Sequence, residues 1–300
     1  MINVAFCVND LALLGLGPTV SSLVRNCSDS SRLHLWFFCS NLSLAQRQRI
    51  GKLLGDENFN GDFDIVEFDP EATFKSLPPL HGDWTAYGRL LLSDYLHERT
   101  VLYLDADLIV EVDLLDLEQF DMQNTCLAVV PASAFKYQLD HNFYINIMGL
   151  SPDCPSFNSG VLLLNLDEWR LKNVKEMCLD LAKKHSSAYL SHDQSLLNAL
   201  FAGNTSFLPK SFNCQWYAEK PKPTVADRMI LHFVGSPKPW DPFGSFIHNG
   251  YRTWRGYLNK DWERSFNKFS VGIAKRAWQI RRSYVNRIIR KLKSKSVAFV

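Results

Sequence analysis

The chain alternates between short runs of continuous apolar residues and longer segments with apolar positions at helical spacing. Continuous apolar runs are typical of strands buried on both faces of a sheet. They predict strands over residues 3–8, 33–39, 64–68, 101–104, 126–131, 161–165 and 229–234. Because helical segments separate these runs, the pattern predicts an α/β fold with a parallel sheet and helices on both faces.

The helical spacing predicts helices over residues 19–26, 44–54, 84–96, 167–185 and 192–201. A loop is expected at Gly15-Leu16-Gly17-Pro18, with the proline near the start of the first helix, where it is tolerated. Ser43 and Asp167 are the expected N-caps of the second and fourth helices. A polar loop is expected after residue 107, and residues 132–155, which lack periodicity, are expected to form a long active-site loop.

The chemistry of the sequence centres on the end of the strand at residues 101–104. Asp105 and Asp107 follow this strand directly, and open α/β sheets bind ligands just outside the carboxyl ends of such strands. Two carboxylates this close repel each other unless they share a proton or a cation. A divalent metal is therefore favoured over the alternative, a strand-end turn in which the aspartates accept backbone N–H bonds.

Further candidates lie near the ends of other predicted elements. His232 lies on a strand and Lys238 in the turn after it, and imidazole suits Mn²⁺ better than Mg²⁺. The alternative for His232 is a structural role within the strand, and the alternative for Lys238 is an ordinary solvent-exposed lysine. Arg89 lies on the helix before the aspartates and has an alternative role as a surface or capping residue. Asn158, Asp193 and Gln194 suit hydrogen bonds to hydroxyls, although the first two also fit N-caps; Ser159 adjoins them.

The composition shows that charge is unevenly distributed along the chain, and the cysteine content indicates the cellular compartment. Of the 300 residues 46% are hydrophobic, enough for a sizeable core, and the formal charge is +2. Residues 268–300 contain ten of the 33 Lys and Arg and none of the 31 Asp and Glu, so the preceding part carries −8. The seven cysteines are scattered without a C-x-x-C pair, which argues against a disulfide framework or zinc cluster and fits a reducing, cytoplasmic compartment.

The basic segment also has an apolar face. Helical spacing over residues 270–292 aligns Val271, Ala274, Trp278, Val285, Ile288, Ile289 and Leu292, with the basic residues mostly opposite. A basic amphipathic helix with a tryptophan is typical of binding to an anionic membrane surface. The alternative is a terminal helix packed on the body with a solvated charged face. Nucleic acid is not expected, because the aromatic residues do not form stacking platforms, and no apolar run reaches the length of a membrane span.

Five motifs now form a recognisable series. In order they are Tyr87-Gly88-Arg89-Leu90, Leu102-Tyr103-Leu104-Asp105-Ala106-Asp107, Phe157-Asn158-Ser159-Gly160-Val161-Leu162-Leu163-Leu164-Asn165, His192-Asp193-Gln194 and His232-Phe233-Val234-Gly235-Ser236-Pro237-Lys238-Pro239-Trp240. In this order they resemble glycosyltransferase family 8, which includes bacterial lipopolysaccharide galactosyl- and glucosyltransferases and glycogenin. The resemblance extends from Asn3 to Trp240, about four-fifths of the chain.

The resemblance implies a GT-A fold with a mixed, mostly parallel sheet, and transfer of glucose or galactose from a UDP-sugar with retention. It implies Mn²⁺, with Mg²⁺ as the alternative, held by Asp105, Asp107 and His232. Gln194 and Asp193 match the catalytic positions. The donor-binding positions that it implies are Ala5, Asn9, Asp10, Arg89, Asp105, Ala106, Asn158, Ser159, Asp193, Gln194, Gly235 and Lys238.

The expected organisation is a catalytic domain over residues 1–265 followed by a membrane-associating tail over 266–300. The expected partners are a UDP-hexose, a saccharide or lipid-linked saccharide acceptor and an anionic membrane surface on the cytoplasmic side, where the protein would be peripheral. Two alternatives remain. Haloacid-dehalogenase-like phosphatases also have Asp-x-Asp after a buried strand, although the residues after Asp107 fit that family poorly. A non-catalytic sugar-nucleotide-binding protein would keep the fold without turnover.

Overall fold

The computed structural model of the chain describes residues 1–80, 82–266 and 271–297. Residue 81, in the predicted loop after Pro79, and residues 267–270 and 298–300, in the predicted tail, lie outside this part, as do the side chains of Val271 and Leu292. The strands are β1 (Ile2–Val8), β2 (Leu33–Cys39), β3 (Asp62–Glu67), β4 (Thr100–Leu104), β5 (Leu108–Val110), β6 (Leu127–Ala134), β7 (Pro155–Asn165), β8 (Ser206–Phe207), β9 (Cys214–Gln215) and β10 (Ile230–His232).

The α-helices are α1 (Leu13–Asn26), α2 (Leu44–Asp56), α3 (Pro70–Phe74), α4 (Leu92–Tyr95), α5 (Leu166–Leu171), α6 (Val174–Lys184), α7 (His192–Leu200), α8 (Gly244–Ile247), α9 (Tyr251–Tyr257), α10 (Lys260–Phe266), α11 (Val271–Gln279) and α12 (Arg281–Val297). The predicted start of α2 is confirmed. Ser43 accepts a hydrogen bond from the backbone N–H of Gln46, whose side chain bonds back to Ser43 in a capping box.

A mixed sheet forms the centre of the fold. Its seven strands have the order β3-β2-β1-β4-β7-β6-β8, and β1 to β4 are parallel to one another. The expectation of a wholly parallel sheet is wrong at β7, which is antiparallel to both β4 and β6, whereas the mixed, mostly parallel sheet is confirmed. A smaller sheet, β5-β10-β9, adjoins the carboxyl end of β4.

Both faces of the large sheet are buried, as the continuous apolar runs predict. Val4, Phe6 and Val8 of β1 belong to one apolar core, with residues of α1 and α2. Ala5 and Cys7 of the same strand belong to a second core, with residues of α6 and α7. Helices on both faces are therefore confirmed, and the carboxyl ends of β1 and β4 are left as an open edge.

The first helix differs most from its prediction, because it begins at Leu13 and contains Pro18. The two glycines read as a loop lie within it and permit close packing. A Cβ on Gly15 would lie 2.5 Å from the carbonyl oxygen of Ala106, and one on Gly17 would lie 2.4 Å from the Trp262 ring. Gly15 thus lets the helix approach the loop that carries the aspartates, and Gly17 lets it approach α10.

Other elements also differ from their predictions. Residues 85–91 of the predicted helix at 84–96 are a 3-10 helix. The helix predicted over 167–185 is divided at Asn173, whose φ is +52°, and is capped by Asn165 rather than Asp167. The predicted polar loop after residue 107 begins with β5. The prediction of one long loop over 132–155 is wrong in part, because β6 continues to Ala134 and residues 135–137 and 143–147 form short helices, with Phe135 fully buried.

The C-terminal segment contacts the body. Arg276 of α11 pairs with Asp241, and Arg287 of α12 pairs with Glu219. Ile280, between the two helices, is buried. Among the described residues, no helix combines the length and apolar character needed to cross a membrane.

Candidate functional site

The ends of β4, β7 and β10 bring the two aspartates and His232 together. The backbone N–H of Asp105 donates to the carbonyl of Gly160 on β7, at 2.8 Å. After Asp107 the chain enters β5, which pairs antiparallel with β10 so that Leu108 lies opposite His232. This pairing brings His232 next to Asp107, which lies 125 positions before it in the sequence.

The resulting cluster has the donor set of a divalent metal site. One ligand atom from each of Asp105, Asp107 and His232 lies within 4.8 Å of the others. Nε2 of His232 is 3.1 Å from Oδ1 of Asp107 and 3.9 Å from Oδ2 of Asp105. Oδ1 of Asp107 is buried and has no hydrogen bond within the described part of the chain. A buried carboxylate oxygen without a donor fits a cation.

Asp107 is held in its charged form. Burial raises the pKa of its carboxyl, but the charge of Lys238, together with the neighbouring His232, outweighs burial and leaves the pKa well below its usual value. Nζ of Lys238 lies 2.5 Å from Oδ2 of Asp107 and also donates to the carbonyl of Phe233. The aspartate is thus ionised and ready to act as a ligand at neutral pH.

A chain of amides fixes the tautomer of His232. Oδ1 of Asn158 accepts from the backbone N–H of Gly160 at 3.0 Å and from Nδ2 of Asn213 at 3.1 Å. Asn213 therefore turns its Oδ1 towards Nδ1 of His232, 3.0 Å away. Because that oxygen accepts, Nδ1 carries the proton of the neutral imidazole, and Nε2 presents a lone pair to the aspartates.

Replacing Asn213 with alanine is expected to weaken Mn²⁺ binding by about 10- to 100-fold, because the partner that orients the imidazole is lost. Isothermal titration of the purified protein with MnCl₂ measures the change. Asn204→Ala, at an exposed position, is the matched control and should bind Mn²⁺ normally. Equal affinities for Asn213→Ala and the unchanged protein would contradict the assigned role of Asn213.

Arg89 is buried at the centre of the site, not on the surface. Its Nε lies 3.1 Å from Oδ2 of Asp193 and its Nη2 lies 3.1 Å from Oδ1 of Asp105. Nη1 donates to the carbonyl of Ser159, and the guanidinium lies over the Tyr103 ring. Burial alone would lower the pKa of Arg89, but Asp193, Tyr103 and Asp105 raise it. Burial raises the pKa of Asp193 despite the charge of Arg89.

The same amide chain orients Gln194. Its Oε1 accepts from Nδ2 of Asn158 at 3.0 Å and from the backbone N–H of Ser159 at 3.1 Å. Both lone pairs of this oxygen are therefore occupied, and the end of the side chain left for a ligand is the NH₂ group. Gln194 and Asp193 are adjacent on the first turn of α7, but neither lines the cavity beside the aspartates.

A cavity of about 260 Å³ opens beside the cluster. It is lined by Cys7, Asn9, Leu11, Ala12, Leu80, Asp83, Thr85, Ala86, Arg89, Tyr103, Asp105, Ala106, Asp107, Lys238, Trp240, Arg276 and Gln279. Arg276 and Gln279 come from the C-terminal segment, which the sequence assigns to a separate tail.

Seven of the twelve predicted donor-binding residues do not line this cavity. Four of them, Asn158, Ser159, Asp193 and Gln194, belong to the hydrogen-bonded network around Arg89 and His232. The other three lie elsewhere. Ala5 is fully buried in the sheet. Asp10 is exposed and accepts a hydrogen bond from Nε2 of Gln46. Gly235 adopts a φ of +73° in the turn before Lys238. Their roles in donor binding stay predictions.

Several residues of the site are not identified from the sequence. Asn213 lies 19 positions before His232, and only the pairing of β9 with β10 shows that the two are neighbours. Tyr103, which reads as a core residue, donates to Oδ1 of Asp105 at 2.8 Å. In the sequence, Arg276 is predicted to be one of the solvent-exposed basic residues opposite the apolar face of the C-terminal helix. The signal that was present is Gly160, a glycine directly before the apolar run at residues 161–164, because a glycine inside a strand indicates close approach of another group.

Sequence comparisons relate the chain to sugar transferases. The model for the family described as Glycosyl transferase family 8 matches residues 3–243. The chain is 27% identical over 265 residues to the lipopolysaccharide 1,3-galactosyltransferase of Salmonella typhimurium, covering 83% of this chain and 76% of that protein. It is 28% identical over 204 residues to a lipopolysaccharide 1,2-glucosyltransferase of Escherichia coli, covering 62% of this chain and 58% of that protein.

Solved structures agree on the fold. The galactosyltransferase LgtC, in a complex with donor and acceptor sugar analogues, superposes with a TM-score of 0.73 at 22% identity, over 88% of this chain and all of that chain. The Streptococcus pneumoniae glycosyltransferase GlyE superposes with a TM-score of 0.65 at 23% identity, over 89% of this chain and 63% of that chain. The fold is therefore GT-A. Since the family model spans most of its length, the chain belongs to glycosyltransferase family 8.

Proposed function

We propose that this protein is a metal-dependent, retaining hexosyltransferase that moves glucose or galactose from a UDP-sugar to a saccharide or lipid-linked saccharide acceptor. The observation that carries the proposal is the cluster of Asp105, Asp107 and His232 beside a cavity in a family 8 chain. Relatives that act on lipopolysaccharide support an acceptor in lipopolysaccharide or another surface polysaccharide. The family match gives no support to the phosphatase alternative.

The donor set favours Mn²⁺, with Mg²⁺ as the second choice. Two carboxylates suit either ion, and the imidazole nitrogen of His232 favours the softer Mn²⁺. Bound there, the ion would neutralise negative charge on the diphosphate of the donor as the sugar leaves. Lys238, at the same cavity, adds a fixed positive charge that acts in the same direction.

Retention, which the family resemblance implies, needs either a double displacement or attack from the leaving-group face. A double displacement needs a free carboxylate as nucleophile. Gln194 is an amide whose oxygen already accepts two hydrogen bonds, and Asp193 is committed to Arg89 and to the hydroxyl of Ser159. We therefore favour attack from the leaving-group face. The acceptor oxygen bonds to the anomeric carbon as the bond from that carbon to the phosphate oxygen breaks, and a β-phosphate oxygen takes the hydroxyl proton.

The test is an assay of UDP release from a panel of UDP-sugars, with MnCl₂ and with EDTA. Metal-dependent release from UDP-glucose or UDP-galactose is expected, and its rate should rise with an oligosaccharide acceptor. No binding of UDP by calorimetry would overturn the proposal, and binding without turnover would favour a non-catalytic role. Trapping a covalent glycosyl-enzyme with a slow fluorosugar donor would overturn front-face attack.

We further propose that the C-terminal segment, residues 266–300, attaches the protein to the cytoplasmic face of an anionic membrane. Its outer face exposes Trp278, Val285 and Ile289 to 69%, 56% and 45%. Trp278 on α11 and Val285 and Ile289, one turn apart on α12, form the proposed apolar strip, and the exposed Lys275 and Arg281 belong to the same two helices. Such a surface suits the interface of an anionic bilayer.

Replacing both Trp278 and Val285 with serine is expected to weaken binding to phosphatidylglycerol vesicles by at least about tenfold, since each loses a large apolar contact with the bilayer. Vesicle sedimentation measures the change. Tyr137→Ser removes an aromatic side chain exposed to 73% elsewhere and should leave binding unchanged. Unchanged sedimentation of the double variant would exclude membrane attachment through this strip.

A further inference from the structure

The C-terminal segment reaches into the cavity beside the aspartates. Arg276 and Gln279, one turn apart on α11, line this cavity together with Asp105, Asp107 and Lys238. From this placement we propose that Arg276 belongs to the donor site and binds a phosphate oxygen of the nucleoside diphosphate. The inference rests on the proposed function, because it requires a donor that carries a diphosphate.

The guanidinium of Arg276 is positioned and charged. Its Nε and Nη2 donate to the two carboxylate oxygens of Asp241, at 2.6 and 3.0 Å. Asp241 is buried and also accepts from the backbone N–H of Lys238 at 2.7 Å. One carboxylate thus connects the turn that carries Lys238 to the helix that carries Arg276. Burial lowers the pKa of Arg276, but Asp241 outweighs burial, with help from Tyr284 and Asp107, and raises it.

Arg276 also retains donors for a ligand. A guanidinium has five N–H groups, and within the described part of the chain only Nε and Nη2 are engaged. The other two cations of the cavity are more fully committed. Arg89 bonds to Asp193, Asp105 and Ser159, and Lys238 bonds to Asp107 and Phe233. Nη1 of Arg276 is therefore available to an anionic ligand, and planar guanidinium groups suit phosphate oxygens.

Contacts further along the segment hold Arg276 in place. Arg287 pairs with Glu219, which is largely buried and also lies 3.4 Å from Arg290. Nη2 of Arg287 lies 3.9 Å from the position of a Cβ on Gly235, so α12 runs beside the turn that precedes Lys238. Two acidic residues of the body, Asp241 and Glu219, thus anchor the basic segment across this end of the cavity. The segment that the sequence assigns to a separate tail contributes a side chain to the catalytic unit.

The test is calorimetric titration of the full chain with UDP in saturating MnCl₂. Arg276→Gln is expected to weaken UDP binding by roughly tenfold or more, the loss of one charge-assisted hydrogen bond. Arg276→Lys should recover part of that loss. Arg282→Gln is the matched control, because it removes the same charge from an exposed position on the same segment, outside the cavity lining.

Titration with uridine separates phosphate binding from general damage. Uridine has no phosphate, so its affinity should be the same for Arg276→Gln and the unchanged protein. Equal UDP affinity in these two proteins would overturn the inference alone, and so would a parallel loss of uridine and UDP. Failure of the unchanged protein to bind UDP would overturn the proposed function and the inference with it.

Discussion

Asp107→Asn is expected to reduce sugar transfer by at least about a thousandfold, equivalent to about 4 kcal/mol of barrier, while the protein stays folded. Asparagine keeps the shape of the side chain but removes the charge that faces His232 and Lys238. The buried Oδ1 without a donor, the atom best suited to a cation, becomes a weaker amide ligand. Loss of the carboxylate therefore removes both the metal affinity and the pairing of Lys238.

Two measurements separate this effect from misfolding. In the unchanged protein Mn²⁺ should raise the melting temperature, because a ligand that binds only the folded state stabilises it. In Asp107→Asn this rise should be absent, and the melting temperature without metal should change by only a few degrees. Asp227→Asn, in the exposed loop before β10, is the control and should keep both transfer and the Mn²⁺ response. Transfer that survives in Asp107→Asn would show that the metal site is misassigned.

The strands could be predicted because a buried strand appears in the sequence as a continuous run of apolar residues. A strand covered on both faces must be apolar throughout, so β1, β2 and β4 were found within two residues of their ends. The helices were harder to predict where a residue type occurs both in loops and in closely packed helices. The glycines at positions 15 and 17 read as a loop, but the α1 backbone needs them to approach Ala106 and Trp262. Only the residues that pack against a glycine show whether it is needed for a turn or for close packing of a helix.

Some residues of the site could be predicted from the sequence, and others could not. Asp105, Asp107, His232 and Lys238 were recognised by their motifs, and the structure brings them together. Asn213 was not recognised, since its role depends on a strand pairing of two residues that no periodicity indicates. The charge pattern of the C-terminal segment showed an amphipathic helix but not which cations face inward. That choice depends on Asp241 and Glu219, which lie elsewhere in the chain.

Gly160→Ala is expected to lower the free energy of unfolding by about 1–3 kcal/mol, the usual cost of overpacking. It should also weaken Mn²⁺ binding by at least about a hundredfold, because the ligands themselves are displaced. The added Cβ would lie 2.3 Å from Cε1 of His232 and 2.6 Å from Oδ2 of Asp105. Both neighbours are site residues, so relieving the clash means moving the imidazole or the carboxylate.

Backbone conformation does not contribute to this effect, because Gly160 is not among the glycines with positive φ. The loss of stability, measured by urea unfolding, and the loss of Mn²⁺ affinity, measured by titration with MnCl₂, therefore result only from the clash of the added Cβ with His232 and Asp105. Gly256→Ala in α9, where a Cβ would have no atom within 4 Å, should be neutral or stabilise the helix by up to about 1 kcal/mol. Unchanged Mn²⁺ affinity in Gly160→Ala would mean that the metal does not bind between His232 and Asp105. The grouping of Asp105, Asp107 and His232 would then require another explanation than a bound cation.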